Sequence, residues 1–245
     1  MGLREINDGF DFKVVVVDEA WVIRVPRRLG VVEALELEAV LLPLLSSELP
    51  VEVPNFEILS TEPPFAVYQL LTGTPLAGED SAGVRAFLTA LHGVRTNVMP
   101  PTNWTERYHE QCARFATLVL PLLDAAERRQ AEELFAEVDS LTGFTPSVIH
   151  GDLGAEHMLV HDGRLAAVID WGDAALGDPA LDYSWLMHEL YPEWELEPEL
   201  RRRAAFYYRL APFYSVHYGV FRKQPEYAAN ALVTVRARLG ATPRP

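Results

Sequence analysis

Residues 148–181 read VIHGDLGAEHMLVHDGRLAAVIDWGDAALGDPAL, and this stretch decides the fold. Asp162-Gly163 is a two-residue signal for a type I′ turn between the strand-like runs 157–160 (HMLV) and 165–170 (LAAVID). Such a turn opposes His161 to Arg164 and carries the pairing back to His157 against Val168 and Asp170 against Ala155. Side chains alternate with period two, so His157 and Asp170 are expected on one face as diagonal neighbours, with Cα atoms roughly 7–8 Å apart. Asp152 precedes the hairpin. Two carboxylates and an imidazole are therefore expected to converge at its open end.

The segments upstream differ in character. Residues 12–17 (FKVVVV) and 20–25 (AWVIRV) are rich in β-branched and aromatic residues and are separated by Asp18-Glu19, which predicts a hairpin stopped by Pro26. Residues 31–45 carry Leu35, Glu38, Leu41 and Leu42 at helical spacing, with Pro43 expected to kink the end. Residues 55–60 and 65–70 predict two more strands around a Pro63-Pro64 turn, and 71–77 a connector. Beyond it, 80–95, 104–123, 124–142, 196–222 and 225–239 have helical periodicity, so the hairpin is an island of strand in a helical half. The expected fold class is α+β. A small antiparallel N-terminal lobe with one helix, residues 1–71, precedes a mostly α-helical lobe, residues 72–245, with a ligand cleft between them.

The 245 residues are 49% hydrophobic and 23% charged, a balance that fits a globular chain and excludes a disordered one. The net charge of −14 disfavours nucleic acid and anionic membrane as partners and favours cationic ligands. A single cysteine, Cys112, excludes internal disulfides and cysteine-based zinc sites. No signal peptide or membrane-length apolar run is visible, so the expected compartment is the cytoplasm.

Converging carboxylates suit phosphoryl transfer. One accepts the proton of an attacking hydroxyl, and another holds the magnesium that bridges the phosphates. Here the chain resembles a known family. His150-Gly151-Asp152, His157 five residues after the aspartate, and Ile169-Asp170-Trp171-Gly172 are similar to the catalytic and metal segments of the aminoglycoside phosphotransferases, whose fold is like that of protein kinases. The resemblance implies a bilobal kinase-like fold and a phosphotransferase that moves the γ-phosphate of ATP or GTP to a small-molecule hydroxyl. It makes Asp152 the catalytic aspartate and His150 the brace of its loop. It makes Asp170 the main metal ligand, and puts His157 where many members carry a metal-binding asparagine. Magnesium prefers oxygen donors, so a histidine there admits manganese or phosphate contact instead. That histidine is similar to macrolide phosphotransferases and to a GTP-using aminoglycoside subgroup. Asp178 and Asp182 look like structural carboxylates.

The same resemblance extends weakly upstream. Arg24 stands where a phosphate-gripping lysine is usual, and Glu38 where its helix partner stands. The phosphate-covering loop falls on residues 7–10 with Gly9 as its one glycine, and the family's first helix and strand are expected to be missing or shortened. The hinge that binds the purine falls on 68–71, with Gln69 and Leu71 as contact residues. The acceptor is read as an antibiotic, cationic ones included, such as an aminoglycoside, a macrolide or a related natural product. The acidic, aromatic stretch 189–197 and the residues Tyr214 and His217 are candidates for its pocket. Three alternatives stay open: a kinase of a sugar or amino alcohol, a nucleotide-binding pseudokinase, and a metal-dependent phosphohydrolase.

Overall fold

The computed structural model describes residues 2–6 and 11–240, which divide into two compact units. One comprises residues 1–100 with 147–176, the other 101–146 with 177–245. Packing therefore groups the hairpin around Asp162-Gly163 with the N-terminal sheet, whereas the lobes read from the sequence are cut after Leu71. Among the described residues, no helix is long and apolar enough to cross a membrane.

The first unit is built on a five-stranded antiparallel sheet. Its strands are β1 (Leu3–Ile6), β2 (Phe12–Val17), β3 (Trp21–Pro26), β4 (Phe56–Thr61) and β5 (Pro64–Gln69), in the order β1-β2-β3-β5-β4. β1, which the reading of the sequence does not assign, is a short strand of four residues. All four of its residues are exposed, so it carries no alternating signal, and ion pairs such as Arg4 to Glu19 and Lys13 to Glu5 line this edge. On β2, β3 and β5 the inner face carries Phe12, Val16, Val22, Ala66 and Tyr68, all buried. Arg24 lies buried on that same apolar face.

Helix α1 (Val32–Glu48) covers this face with Leu35, Glu38, Leu41, Leu42 and Leu45. It continues past Pro43, as the reading over 31–45 expects, and runs on to Glu48. Leu41, Leu42 and Leu45, each at most 1% exposed, bury both sides of the proline, and that packing outweighs one lost backbone hydrogen bond.

β6 (Thr74–Pro75) leads to α2 (Ser81–Gly93). The short strand β7 (Ser147–Ile149) precedes the hairpin of β8 (Met158–His161) and β9 (Arg164–Val168), with β10 (Ala175–Gly177) beyond it. Asp162 and Gly163 both have positive φ, as a type I′ turn requires, and His161 does face Arg164. The register then departs from the expected one. A bulge between Val160 and Leu159 sets Met158, not His157, opposite Val168. The extra residue, Ala166, turns its carbonyl to the Glu52 amide at 2.8 Å, and this outside partner stabilises the bulge. Asp80 fastens the hairpin to α2, its side chain accepting from the amides of Gly83 at 3.1 Å and Leu165 at 2.9 Å.

The second unit is helical: α3 (Trp104–Leu118), α4 (Ala125–Ala136), α5 (Ala180–Trp185), α6 (Pro198–Phe221) and α7 (Pro225–Leu239). Its polar centre is Asp178, fully buried, which accepts from Arg203 Nε at 2.7 Å, the Tyr207 hydroxyl at 3.1 Å and the Ala180 amide at 3.0 Å. Trp104 donates to the same Tyr207 hydroxyl at 2.7 Å. A buried carboxylate with three donors anchors the segment that follows β10.

Replacing Asp80 removes a helix cap and a clamp on the hairpin together. Urea denaturation of Asp80→Ala is expected to show a loss of about 2 kcal/mol.

Candidate active site

The loop that carries Asp152 leaves β7 with its geometry fixed at His150, which is fully buried. The Asp152 amide donates to Nδ1 at 3.3 Å, so the proton sits on Nε2, which donates to the Ile169 carbonyl at 2.9 Å. One imidazole thus ties the residue before Asp170 to the residue that carries the other carboxylate. Gly151 has φ +88°, and a Cβ there would lie 2.4 Å from the Asp173 carbonyl oxygen, so only glycine fits this close approach. The result presents Asp152 outward, its side chain 66% exposed and reachable by a substrate hydroxyl.

His157 lies in a 3-10 turn, Ala155–His157, before β8 rather than on the strand. Its Nδ1–H donates to the Asp152 carbonyl at 2.7 Å, and its Nε2 lies 3.7 Å from Asp170 Oδ2. Burial works against a charge on this imidazole, but Asp170, the Asp152 carbonyl, Asp152 and Glu156 together raise its pKa above the usual histidine value. Asp170 follows β9 in the left-handed region, φ 63°, and is half exposed. The next residue explains its projection. Trp171 is buried, donates from Nε1 to the Val168 carbonyl at 2.9 Å and meets Phe87 edge-on, so the indole locks the turn that points Asp170 out. The two residues do converge as the sequence implied, but through two turns and not through a shared strand face.

Arg24 completes the cluster from β3. Its Nη1 bonds Glu38 Oε2 at 2.6 Å and its Nη2 bonds Asp170 Oδ1 at 3.2 Å. Phe12 covers the guanidinium face, 3.9 Å from ring centroid to carbon. Burial pushes Glu38 up to about 7, against the pull of Arg24, and its Oε1 has no hydrogen-bond partner among the described residues.

Of the remaining expected residues, Gln69 ends β5 exposed and bonds Glu57 at 3.2 Å, and Leu71 lies half-buried just beyond it. Gly9 and the rest of 7–10 lie outside the described residues. Neither Phe12, a residue of the 12–17 strand, nor Trp171, a residue of the 169–172 motif, has a role assigned from the sequence, although the alternation of FKVVVV against AWVIRV already puts Phe12 on the face of Arg24.

No group of three or more His, Cys, Asp and Glu side chains forms a ready metal cage among the described residues. The donor set present, a half-exposed carboxylate with a neighbouring imidazole, fits a cation that brings most of its own oxygen ligands, as magnesium on a nucleotide does.

Comparison with known proteins is decisive at family level. The family model described as "phosphotransferase enzyme family" (APH) matches residues 2–217. The chain belongs to the APH phosphotransferase family. Viomycin phosphotransferase of Streptomyces vinaceus is 31% identical to this APH chain over 139 residues, 49% of the chain and 48% of the relative, so the match spans about half the length of that relative. The GDP and kanamycin complex of an APH(2") enzyme has TM-score 0.85 at 22% identity, covering 97% of this chain and 92% of that one. The macrolide 2'-phosphotransferase MphH from Brachybacterium faecium has TM-score 0.70 at 24% identity, covering 99% and 93%. The fold of this APH chain is therefore the α+β, kinase-like fold of those enzymes.

Two substitutions test the architecture of the site. Glu38→Ala strands a buried guanidinium, with an expected loss of about 3 kcal/mol in chemical denaturation. Gly151→Ala is expected to cost about 2 kcal/mol or more from the positive φ and the collision with Asp173.

Proposed function

We propose that this chain transfers the γ-phosphate of ATP or GTP to a hydroxyl of an antibiotic-like small molecule. The reading rests on one observation. Asp152 stands exposed with a carboxylate oxygen 4.0 Å from His157, whose Nε2 lies 3.7 Å from Asp170, while Arg24, paired with Glu38, bonds the same Asp170 carboxylate. Asp152 serves as the base and orients the hydroxyl. Asp170, with His157 beside it, holds the magnesium or manganese that accompanies the nucleotide and neutralises phosphate charge. Arg24 steers the phosphates, and Glu38 holds Arg24 in place. His150 keeps the loop in register. Gly9 in the covering loop, and the backbone of Gln69 and Leu71 at the hinge, contact the nucleotide. Most of the rate enhancement in such chemistry comes from positioning and charge neutralisation, so a few fixed groups suffice.

The names of the relatives favour an aminoglycoside, a macrolide or a viomycin-like acceptor. The net charge of −14 favours a cationic one. The donor nucleotide places the reaction in the cytoplasm. A nucleotide-binding pseudokinase is the second reading, favoured by the burial of Arg24 between two carboxylates.

Purified protein with ATP or GTP and a panel of aminoglycosides, macrolides, viomycin, sugars and amino alcohols tests the proposal by mass spectrometry of the product. Phosphorylation of an antibiotic is expected. Turnover confined to sugars or amino alcohols overturns the antibiotic acceptor. Asp152→Asn is expected to lower turnover at least ~10²-fold while nucleotide still raises the melting temperature. Full activity in that variant would refute the assignment of the base.

A further inference from the structure

Arginine replaces the family's usual lysine at position 24, and a guanidinium makes demands that an ammonium does not. It is planar, it must be oriented about its own axis, and its two faces need cover once it leaves water. In β2 and β3, Phe12 pairs with Pro26 and Val14 with Arg24, so Phe12 is a diagonal neighbour of Arg24 on the inner face. The guanidinium carbon lies 3.9 Å from the ring centroid, in van der Waals contact with the face of the ring. Gly172 borders the edge that the ring and the guanidinium share. A Cβ on Gly172 would lie 3.8 Å from both Arg24 Nη2 and the Phe12 ring, and 3.7 Å from Glu38 Oε1. The edge of the guanidinium is then spent on Glu38 and Asp170.

We infer that Phe12 is a positioning residue for Arg24: its ring fixes the plane in which the guanidinium faces both carboxylates and the incoming phosphates. This rests on the phosphotransferase reading above. A guanidinium free to tilt loses one of its two directed bonds, and with it the alignment of Asp170. Phosphate contact by Arg24 is made in the bound nucleotide as well as in the transition state, so the loss falls mainly on nucleotide KM. A lysine at position 24 presents a point charge with no plane to align, and the ring matters little to it.

The experiment is a double-mutant cycle of the full chain with F12M, R24K and the pair, reading kcat and nucleotide KM with the acceptor that turns over best. Methionine conserves volume in the apolar cluster that Phe12 shares with Val31, Leu35 and Ala66. F12M is expected to raise nucleotide KM about tenfold beside Arg24, with a smaller change in kcat, and less than about twofold in the R24K background. F12Y, which restores the ring, is expected within about twofold of wild type. Equal KM increases in both backgrounds, or none beside Arg24, overturn the inference and assign Phe12 to packing alone. If F12M gives no folded enzyme, F12Y with KM raised as far as tenfold overturns it too. Wild-type protein that neither binds nor turns over nucleotide ends the phosphotransferase reading, and this inference with it. Wild type that turns over without coupling between positions 12 and 24 ends this inference alone.

Discussion

The site depends on one buried cation. Arg24 is 4% exposed and sits on the apolar face of a sheet, where an unpaired guanidinium would cost several kcal/mol. Glu38 answers that cost at 2.6 Å, and it does so from α1, so the helix must dock in one register against the sheet. The second Nη reaches Asp170 at 3.2 Å and ties the sheet to the turn after β9. A buried ion pair is weak evidence of stability, because a well-packed apolar pair is often as good. Its persistence here makes sense as positional control. Three elements distant in sequence are held to one geometry by a single side chain.

Around that cation, each proposed catalytic group is oriented by a neighbour without reactive chemistry of its own. His150 fixes the backbone on both sides of the site by donating to Ile169 and accepting from Asp152. Trp171 buries its ring so that Asp170 does not bury its carboxylate. Gly151 admits the Asp173 carbonyl at a distance no side chain tolerates. The backbone that carries the two exposed acids is therefore held by directed contacts on both sides.

Much of this was legible in the sequence, and the misses have physical reasons. The hairpin at Asp162-Gly163, the helix bearing Glu38 and the strand bearing Arg24 follow from turn chemistry and periodicity alone. The convergence of Asp152, His157 and Asp170 was visible, but the path to it was not. Strand alternation predicts a shared face, whereas the bulge at Ala166 and the left-handed turn at Asp170 do the work. A bulge stabilised by Glu52, far away in sequence, leaves no local signal. β1 was hidden because an exposed edge strand has no buried face to alternate. The periodicity over 31–45 reads as one helix with Pro43 inside it, and the leucines packed around the proline carry that helix on to Glu48.

A crystal structure with a non-hydrolysable nucleotide and magnesium tests the central claim most directly. The account predicts terminal phosphate oxygens within hydrogen-bond reach of Arg24 and a cation bound to the Asp170 carboxylate, with the Arg24–Glu38 contact intact. A nucleotide bound elsewhere, or phosphates that approach neither Arg24 nor a cation on Asp170, would contradict it.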